Sequence, residues 1–322
     1  MTLILSWIPT LARAEVATML PEVNDFIANM AARHGFQIAT LRTIFGQVVL
    51  HPEIIEAITR PAEAKPWFEY RNIFLTAARI EGGIEFWQEN QEALTVTEAR
   101  YGVDPAIVVA IIGVETRYGA KTGTYRVIEA LSTLAFQYPK RAPFFRDQLE
   151  EYLLLTRNEG MDPLLPKGSY AGAMGLPQFM PTSFRDFAVD LDGDGHRDLW
   201  NNPWDAIGSV ANYLRRHEWQ PHGPIAVPVN LKEGTNPTPL LGTDLKPNLR
   251  LNYLSSLGFQ STESIPGNPT AAPLRLEGKN SLEYWLCFQN FYAITRYNHS
   301  PLYAMAVYQL SQEIAAGMAQ KK

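Results

Sequence analysis

The sequence has almost no cysteine, no excess of positive charge and, beyond its first residues, no long apolar run. The single cysteine, Cys287 in the segment YWLCFQN, excludes an internal disulfide, and its aromatic neighbours predict a buried, inert thiol. Lys and Arg number 28 against 33 for Asp and Glu, so the net charge of −5 predicts no nucleic-acid partner. No later stretch approaches the roughly 20 apolar residues of a membrane-spanning helix.

The N-terminus is the one strongly apolar stretch. It runs from Met1 to Ala14 and ends in the small-x-small pattern Ala12-Arg13-Ala14. This pattern predicts a secretory signal peptide over residues 1–14. The alternative is an apolar helix that packs on the domain, because the run is short and no Lys or Arg precedes it.

The pattern along the chain predicts a mainly α fold with a small β-containing insertion. Apolar residues recur at helical spacing over residues 15–95, for example in VNDFIANMAARHGF, and again from 104 to about 158 and from 204 to 219. Residues 221–282 carry nine prolines and the alternating segment IAVPVN, which predict short strands and turns. Helical character is expected to resume in SLEYWLCFQNFYAITRYN and to continue to the end of the chain.

One carboxyl group stands out because it follows an apolar helix. Asp104 is a good N-cap and Pro105 suits the first helical position. Every residue from 106 to 114 is apolar or glycine, which predicts a buried helix that carries Glu115 into the interior or to the floor of a cleft. Burial would raise the pKa of this carboxyl, as a general acid requires. The alternative is a Glu near the helix C-terminus that is paired with Arg117 or another Arg.

Residues 166–187, PKGSYAGAMGLPQFMPTSFRDF, combine small residues with isolated polar ones. Three glycines permit close approach of the backbone, and Ser169 and Gln178 present polar groups among apolar neighbours. The segment resembles a substrate-facing wall. The alternative is a packing segment whose small residues let another helix come close.

A second polar segment, TRYNHSPLYAMAVYQL at residues 295–310, precedes a hydrophobic helix. It places Tyr297, Asn298 and Tyr303 close together in the chain. A tyrosine ring can stack on a sugar ring, while hydroxyl and amide groups bond sugar oxygens. The segment therefore indicates sugar recognition.

The acidic segment DLDGDGHRDLWNNPWDA, residues 190–206, is typical of a calcium loop. Its departure from the standard loop is Asn201, which stands where a bidentate Glu is usual. The segment places Asp190, Asp192 and Asp194 at alternate positions, and without a cation these three carboxylates would repel one another. The alternative is an unliganded Asp/Gly turn. Asp198 could contribute through water, and the expected ligands are Asp190, Asp192, Asp194, the carbonyl of His196 and, to close the loop, Asp205.

Together these segments resemble the B-type lytic murein transglycosylases, bacterial enzymes with a lysozyme-like catalytic core. The motifs are GVETRYG, SYAGAMGLPQFMPTSFRDFAVDLDGDGHRDLW, DAIGSVANYL and YNHSPLYAMAVYQL, and the similarity covers most of residues 20–315. The resemblance implies cleavage of the β-1,4 bond between N-acetylmuramic acid and N-acetylglucosamine in peptidoglycan. It implies that no water is used and that a 1,6-anhydromuramoyl end is left.

The resemblance also implies an organisation and a location. The lysozyme-like core would span residues 96–220, with its EF-hand-like loop, and the C-terminal helices of residues 283–322 would complete the core and the helical domain. The membrane-bound members are lipoproteins, and no cysteine lies near the N-terminus here. We therefore expect a soluble, monomeric periplasmic form whose partners are glycan strands and other proteins of cell-wall synthesis or remodelling.

The family's site residues map onto this chain motif by motif. The Glu of the VET motif, the catalytic acid and base, falls on Glu115. The loop before the closing aspartate is one residue longer than expected, so Asp205 is the least secure ligand. The basic pair that faces the acidic peptide stem falls on Lys140 and Arg141. The remaining sugar-site residues fall on Tyr70, Ser169, Gln178, Tyr213, Asn298 and Tyr303.

The number of carboxyl groups predicts the type of reaction. A hydrolytic glycosidase ordinarily needs two carboxylates, whereas here only Glu115 remains once the loop aspartates are assigned to a metal. One carboxyl suffices if the O6 hydroxyl of the sugar attacks its own C1, because an intramolecular attack needs no second molecule. The rival hypotheses are a hydrolytic muramidase of similar fold and a non-catalytic calcium-dependent wall-binding protein.

Overall fold

The computed structural model describes residues 17–60, 65–242 and 244–321. The predicted signal peptide, residues 1–14, lies outside the described residues. Within the described part of the chain, no helix is both long and apolar enough to cross a membrane. The chain packs as two units, one formed by residues up to 60 together with 123–173, the other by residues 61–122 together with 174–322.

The first unit is helical, with one small pair of strands. Prolines open three of its helices, where the missing N–H costs no hydrogen bond. Gly35, in the left-handed region at φ 69°, ends the first of them. With elements numbered along the whole chain, this unit contains α1 (Pro21–His34), α2 (Ile38–Phe45), α3 (Pro52–Thr59), β1 (Tyr125–Arg126), α8 (Val127–Gln137), α9 (Ala142–Asn158) and β2 (Lys167–Gly168), with β1 and β2 antiparallel.

The second unit carries the remaining helices. Helix α14 (Pro301–Gln320) packs against α5 (Ala77–Glu89) and α7 (Pro105–Thr116), and α11 (Pro203–Arg216) packs against α6 (Gln91–Tyr101). The apolar helix α7 is thus enclosed by other helices, which is why its entire surface can be hydrophobic. The helices are α4 (Trp67–Phe74), α5 (Ala77–Glu89), α6 (Gln91–Tyr101), α7 (Pro105–Thr116), α10 (Pro181–Phe187), α11 (Pro203–Arg216), α12 (Leu251–Ser256), α13 (Gln289–Tyr297) and α14 (Pro301–Gln320).

An antiparallel sheet of five strands belongs to the same unit. Its order is β4-β6-β7-β3-β5, with β3 (Ala226–Leu231), β4 (Leu249–Arg250), β5 (Phe259–Ser261), β6 (Thr270–Glu277) and β7 (Leu282–Cys287). Val227, Phe259 and Leu286 belong to a cluster of buried side chains on this sheet. Cys287 is completely buried, as predicted. A mainly α fold with a small β-containing part is therefore confirmed.

The expectation that helix resumes at Ser281 is wrong. Residues 282–287 form the strand β7, and helix α13 begins only at Gln289. β7 lies between β3 and β6, with Leu286 opposite Val227 and Trp285 opposite Leu274. Ladder hydrogen bonds on both sides and the strand preference of aromatic residues outweigh the local helical pattern.

The two packing units divide the chain at other points than the predicted domains. Residues 15–95 and 96–220 each contribute to both units, because the chain leaves the first unit after residue 60 and re-enters it at 123. Packing groups residues by contact, whereas composition marks only neighbours in sequence. The assignment of the lysozyme-like core to residues 96–220 stays a prediction.

Candidate active site

Helix α7 places Glu115 at its C-terminal end. The Asp104 carboxylate caps the other end by accepting a hydrogen bond of 2.8 Å from the N–H of Ala106. Every residue from 105 to 114 is buried, whereas Glu115 keeps partial exposure. The predicted buried helix is therefore observed, and it presents a carboxyl group where its buried surface ends.

The Glu115 carboxyl group has one hydrogen-bond partner among the described residues, the hydroxyl of Tyr303. That hydroxyl donates to Oε1 at 2.7 Å. Burial raises the pKa of Glu115 to about 7, and the hydrogen bond acts in the opposite direction because it stabilises the charged form. Within the described part of the chain no Lys or Arg forms an ion pair with Glu115, so pairing with Arg117 is not observed.

Three tyrosines lie near this carboxyl group. Burial raises the pKa of Tyr70, Tyr297 and Tyr303, and the negative charge of Glu115 raises each of them further. They come from α4, the end of α13 and the start of α14. The Ser300 hydroxyl caps α14 by accepting from the N–H of Tyr303 at 3.4 Å, which places that tyrosine in the first turn. All three hydroxyl groups stay protonated at neutral pH.

The segment that contains Gln178 is tied to the end of α7. The Thr116 hydroxyl donates to the carbonyl of Leu176 at 3.1 Å. The side-chain Nε2 of Gln178 donates to the carbonyls of Thr122 at 3.1 Å and of Gly175 at 2.9 Å. Because both N–H groups are engaged, the amide oxygen of Gln178 is the atom left for a ligand. Gln178 also lies in the left-handed region, at φ 51°.

Tyr213 and Tyr297 belong to an aromatic cluster in this unit. Their ring centroids lie 4.8 Å apart, and the Phe179 ring lies 5.7 Å from Tyr213 and 5.8 Å from Tyr297. The Tyr297 hydroxyl donates to the carbonyl of Pro177 at 2.6 Å, and that of Tyr213 to the carbonyl of Arg296 at 2.5 Å. Both hydroxyl groups thus already serve the backbone. The Tyr213 ring is only 8% exposed and stacks on His217 with ring centroids 4.2 Å apart. The sugar-binding roles of both tyrosines stay predictions.

Asn298 is exposed at the turn between α13 and α14. Its side-chain oxygen accepts from the N–H of Ser300 at 3.1 Å, which shapes the turn before α14. This hydrogen bond gives Asn298 a local structural role, and its role in sugar binding stays a prediction.

Three predicted site residues belong to the first unit. Ser169 turns its hydroxyl oxygen back on the chain, where it accepts from the N–H groups of Ala171 at 3.3 Å and Ala173 at 3.0 Å. Its own hydroxyl hydrogen stays available for a ligand. Lys140 and Arg141 are exposed, and the Arg141 guanidinium lies 4.3 Å from the centre of the Phe144 ring. Their contacts with a peptide stem stay a prediction.

The acidic loop brings the first three predicted ligands together. Asp190, Asp192 and Asp194 each offer a carboxylate oxygen, and these oxygens lie within 4.8 Å of one another. The Asp190 carboxylate also accepts from the backbone N–H groups of Gly195 at 2.9 Å and Gly193 at 2.7 Å. These hydrogen bonds, above all the one from Gly195, lower the pKa of Asp190. Hard oxygen ligands in this arrangement suit Ca²⁺.

The other two predicted ligands are placed differently. Asp205 is fully buried, and its two oxygens accept from the N–H groups of Leu191 at 2.9 Å and Asp198 at 2.8 Å. Asp205 therefore ties together the two ends of the loop. His196 is exposed and donates its N–H to Asp194 at 2.8 Å. Asp198 is engaged with the backbone N–H groups of residues 200 and 201.

Thr116 is the residue next to the carboxyl group that the sequence did not single out. It is fully buried, and its single hydroxyl hydrogen lies between the carbonyls of Ile112 at 3.2 Å and Leu176 at 3.1 Å. The hydroxyl oxygen accepts from the N–H of Gly119 at 3.1 Å. The sequence did contain a signal for this residue, because a Thr that ends an otherwise apolar helix is expected to be buried and then needs a hydrogen-bond partner.

Replacing Tyr303 with phenylalanine is expected to raise the pKa of Glu115 above about 7. The variant keeps the ring but removes the donor that stabilises the carboxylate, and a hydrogen bond to a charged group is worth about 1.5–3 kcal/mol, or roughly one to two pH units. A ¹³C NMR titration of the glutamate carboxyl carbons measures the change.

Tyr308→Phe is the matched control for this titration. Tyr308 lies on the same helix and donates to the carbonyl of Ala226 at 2.9 Å rather than to a carboxyl group. Its loss should leave the pKa of Glu115 where it was. An unchanged titration in Tyr303→Phe would show that the 2.7 Å contact does not control the acid.

A mainly helical fold that presents one largely buried carboxyl group beside tyrosines and an amide is consistent with an enzyme of lysozyme-like fold, and the similarity to known proteins establishes this class. The family model described as "Transglycosylase SLT domain" matches residues 18–312. The chain therefore belongs to the transglycosylase SLT domain family. The resemblance stated from the sequence motifs is confirmed.

A curated relative and several solved structures agree with this assignment. The membrane-bound lytic murein transglycosylase B of Escherichia coli (strain K12) is 41% identical over an alignment of 310 positions that covers 93% of this chain and 84% of that protein. The soluble lytic transglycosylase SltB1 of Pseudomonas aeruginosa has a TM-score of 0.88 and 46% identity over 93% of this chain and 100% of that one.

Two further structures were solved with ligands. The Escherichia coli lytic transglycosylase Slt35, in complex with calcium, has a TM-score of 0.86 and 41% identity over 93% of this chain and 94% of that one. SltB3 of Pseudomonas aeruginosa, in complex with NAG-anhNAM-pentapeptide, has a TM-score of 0.83 and 33% identity over 91% of this chain and 79% of that one.

Proposed function

We propose that this lytic transglycosylase cleaves the β-1,4 bond between N-acetylmuramic acid and N-acetylglucosamine, with Glu115 as the acid and then the base. The observation that carries the proposal is the placement of this carboxyl group at the end of the buried helix α7, within 2.7 Å of the Tyr303 hydroxyl, where burial raises its pKa to about 7. At neutral pH a large fraction is protonated and can give a proton, and the carboxylate that results can take one back. The anhydro sugar bound to the relative SltB3 supports a product of this kind.

The first step is protonation of the glycosidic oxygen. Tyr303 holds Oε1 of Glu115 by its 2.7 Å hydrogen bond, which leaves Oε2 to carry the proton toward the leaving sugar. As the bond between C1 and this oxygen breaks, positive charge develops at C1 of the muramic acid. The 2-acetamido group of the same sugar stabilises that charge.

The second step closes the anhydro ring. The O6 hydroxyl of the muramic acid attacks its own C1, and Glu115, now a carboxylate, takes the O6 proton. Orientation within one bound sugar replaces the encounter with a water molecule. Glu115 ends the cycle protonated, so one carboxyl group serves both steps.

The surrounding residues have the chemistry to hold a sugar. The free amide oxygen of Gln178 accepts from an N–H or hydroxyl group of the substrate, and Tyr70 and Tyr297 offer aromatic surface near Glu115. Tyr303 is only 3% exposed and contributes through its hydrogen bond to Glu115. Further along the glycan and its peptide stem, the same proposal assigns contacts to Lys140, Arg141, Ser169, Tyr213 and Asn298.

Mass spectrometry of digested peptidoglycan tests the reaction. The proposal expects muropeptides with 1,6-anhydromuramoyl ends, which are one water lighter than the corresponding reducing ends. Reducing ends alone would identify a hydrolytic muramidase and overturn the proposal.

The proposed location of the protein is the bacterial periplasm, where peptidoglycan lies. We propose that the protein acts there as a monomer.

We propose calcium as the cation of the acidic loop. The three grouped aspartates 190, 192 and 194 and the carbonyl of His196 would hold it, while Asp205 fixes the ends of the loop and is a weaker candidate ligand. When bound, the cation offsets the repulsion among the carboxylates and thereby stabilises the loop. The calcium bound by the relative Slt35 supports this proposal.

Calcium is expected to raise the thermal unfolding temperature, and excess EDTA to reverse the increase. At 100 times its dissociation constant, a ligand of the folded state adds about 2.7 kcal/mol of stability. Asp192→Ala, which removes the ligand oxygens, should abolish the calcium-dependent part, whereas Asp147→Ala, at an exposed aspartate on α9, should preserve it. Equal calcium responses in both variants would argue against this site.

A further inference from the structure

A buried arginine lies against the helix that carries Glu115. Arg79, on α5, is only 7% exposed, and its Nη1 donates to the carbonyl of Gly113 at 3.2 Å. Its guanidinium lies 4.9 Å from the centre of the Phe74 ring. Among the described residues, no carboxylate forms an ion pair with it. Burying a guanidinium is costly, and its charge is balanced here by the negative C-terminal end of α7.

A tyrosine completes the contact in the other direction. The Tyr118 hydroxyl donates to the backbone carbonyl of Arg79 at 2.7 Å. The Tyr118 ring stacks on Phe86, with ring centroids 5.6 Å apart and an interplanar angle of 30°. Helix α5 therefore holds a carbonyl of α7, and the chain that leaves α7 holds a carbonyl of α5.

Gly113 leaves the space that the Tyr118 ring occupies against α7. A Cβ atom at this position would lie 2.4 Å from the Tyr118 hydroxyl oxygen and 2.5 Å from its Cζ atom. Any larger residue at 113 would have to push the tyrosine away. We refer to these contacts among Arg79, Gly113 and Tyr118 as the Arg79 clamp.

The clamp surrounds the acid in sequence. Glu115 lies two residues after Gly113 and three before Tyr118. The chain leaves the helix through two consecutive non-glycine residues in the left-handed region, Arg117 at φ 51° and Tyr118 at φ 59°. This conformation is unfavourable for side chains with a Cβ and persists only where surrounding contacts impose it. The two hydrogen bonds of the clamp are such contacts.

We propose that Arg79 and Tyr118 are positioning residues, which hold the last turn of α7 so that Glu115 stays within hydrogen-bond reach of Tyr303. The proposal rests on the proposed function of Glu115 as acid and base. Without the clamp, the strained turn relaxes, and the carboxyl group loses its fixed distance to Tyr303. Arg79 and Tyr118 themselves contact no substrate; they act through the backbone of α7.

Tyr118→Phe tests the proposal because it removes one hydroxyl and leaves the stacked ring. We expect kcat to fall about tenfold with KM within about twofold, because small errors in the position of a catalytic group cost rate rather than binding. The pKa of Glu115, read by ¹³C NMR, is expected to rise, since contact with Tyr303 lowers it and the other facing groups, Tyr70 and Tyr297, are unchanged.

Tyr152→Phe is the matched control. Tyr152 also donates its hydroxyl to a backbone carbonyl, that of Pro163 at 2.8 Å, but it has no place in the clamp. Its loss should lower the unfolding temperature and leave kcat and the pKa of Glu115 unchanged. If Tyr118→Phe behaves in the same way, the clamp is merely structural and the proposal is overturned.

A second pair of variants keeps the test decisive if Tyr118→Phe does not fold. Arg79→Lys retains a charged donor for the Gly113 carbonyl, whereas Arg79→Met retains only the bulk of the side chain. We expect Arg79→Lys to keep more kcat and a lower Glu115 pKa than Arg79→Met. Equal values for the two would overturn the proposal. Because the NMR titration needs no turnover, a wild-type enzyme that gave only reducing ends would refute the proposed reaction and not the clamp.

Discussion

Glu115→Gln is expected to lower kcat for release of anhydro-muropeptides by about 10²–10⁴-fold, the contribution of general acid–base catalysis. Glutamine has the size of glutamic acid and can still accept the 2.7 Å hydrogen bond from Tyr303, so the site should keep its shape. Its amide can neither give a proton to the glycosidic oxygen nor take one from O6. Mass spectrometry of the products and the turbidity of wall suspensions measure the loss.

Glu129→Gln is the matched control, because Glu129 is another buried glutamate. It is 8% exposed and lies in the first unit, where it faces His51 at 3.2 Å. Its replacement should reduce stability rather than the rate per folded molecule. If Glu115→Gln clears wall suspensions as fast as the wild type, Glu115 is not the acid. If neither the wild type nor Glu115→Gln clears wall suspensions while both bind walls, the result favours the non-catalytic wall-binding hypothesis instead.

The helix that carries the acid could be predicted from the sequence because its determinants are local. Asp104 as cap, Pro105 at the first position and an unbroken apolar run are all read from neighbouring residues, and the structure shows the helix from Pro105 to Thr116. The same applies to the acidic loop, where alternate aspartates converge because the loop folds back within a few residues. Short-range patterns of this kind need no knowledge of the rest of the fold.

Contacts between distant segments could not be predicted in the same way. Strand β7 was expected to be helical. Its pairing with β3 and β6 could not be predicted locally, because it depends on residues up to 61 positions away, such as Ala226 opposite Cys287. Tyr303 was expected to bind sugar, and its hydrogen bond to Glu115, 188 residues away, has no trace in local spacing. The family resemblance indicated Tyr303 as a site residue, but its contact with Glu115 follows only from the packing of α14 on α7.

The Arg79 clamp shows the limit most clearly. Nothing in the segment LTAARIEGG distinguishes Arg79 from a solvated arginine, because helix formers of this type usually lie at the surface. Its burial follows from the approach of α5 to α7, and Gly113 leaves the space in which Tyr118 reaches the carbonyl of Arg79. Contacts between helices therefore determine features of the candidate site that single-helix patterns do not contain.

Gly175 is the other position where the absence of a side chain supports the site. It lies in the left-handed region at φ 66°, and a Cβ there would lie 2.3 Å from the backbone carbonyl oxygen of Leu199. The same carbonyl accepts from the N–H of Leu176 at 2.8 Å, and the carbonyl of Gly175 accepts from the Gln178 amide. This glycine thus joins the segment of Gln178 to the end of the acidic loop.

Gly175→Ala is expected to reduce the free energy of unfolding by about 3 kcal/mol, of which about 1 reflects the left-handed backbone and the rest the displacement of rigid backbone. Gly234→Ala separates the two contributions, since Gly234 has φ 81° in the same unit but nothing within 4 Å of an added Cβ. It should cost only about 1 kcal/mol. Urea unfolding followed by circular dichroism measures both variants. Equal losses would mean that the chain relaxes around residue 175 at no cost, and the segment of Gln178 would then be less rigid than its contacts require.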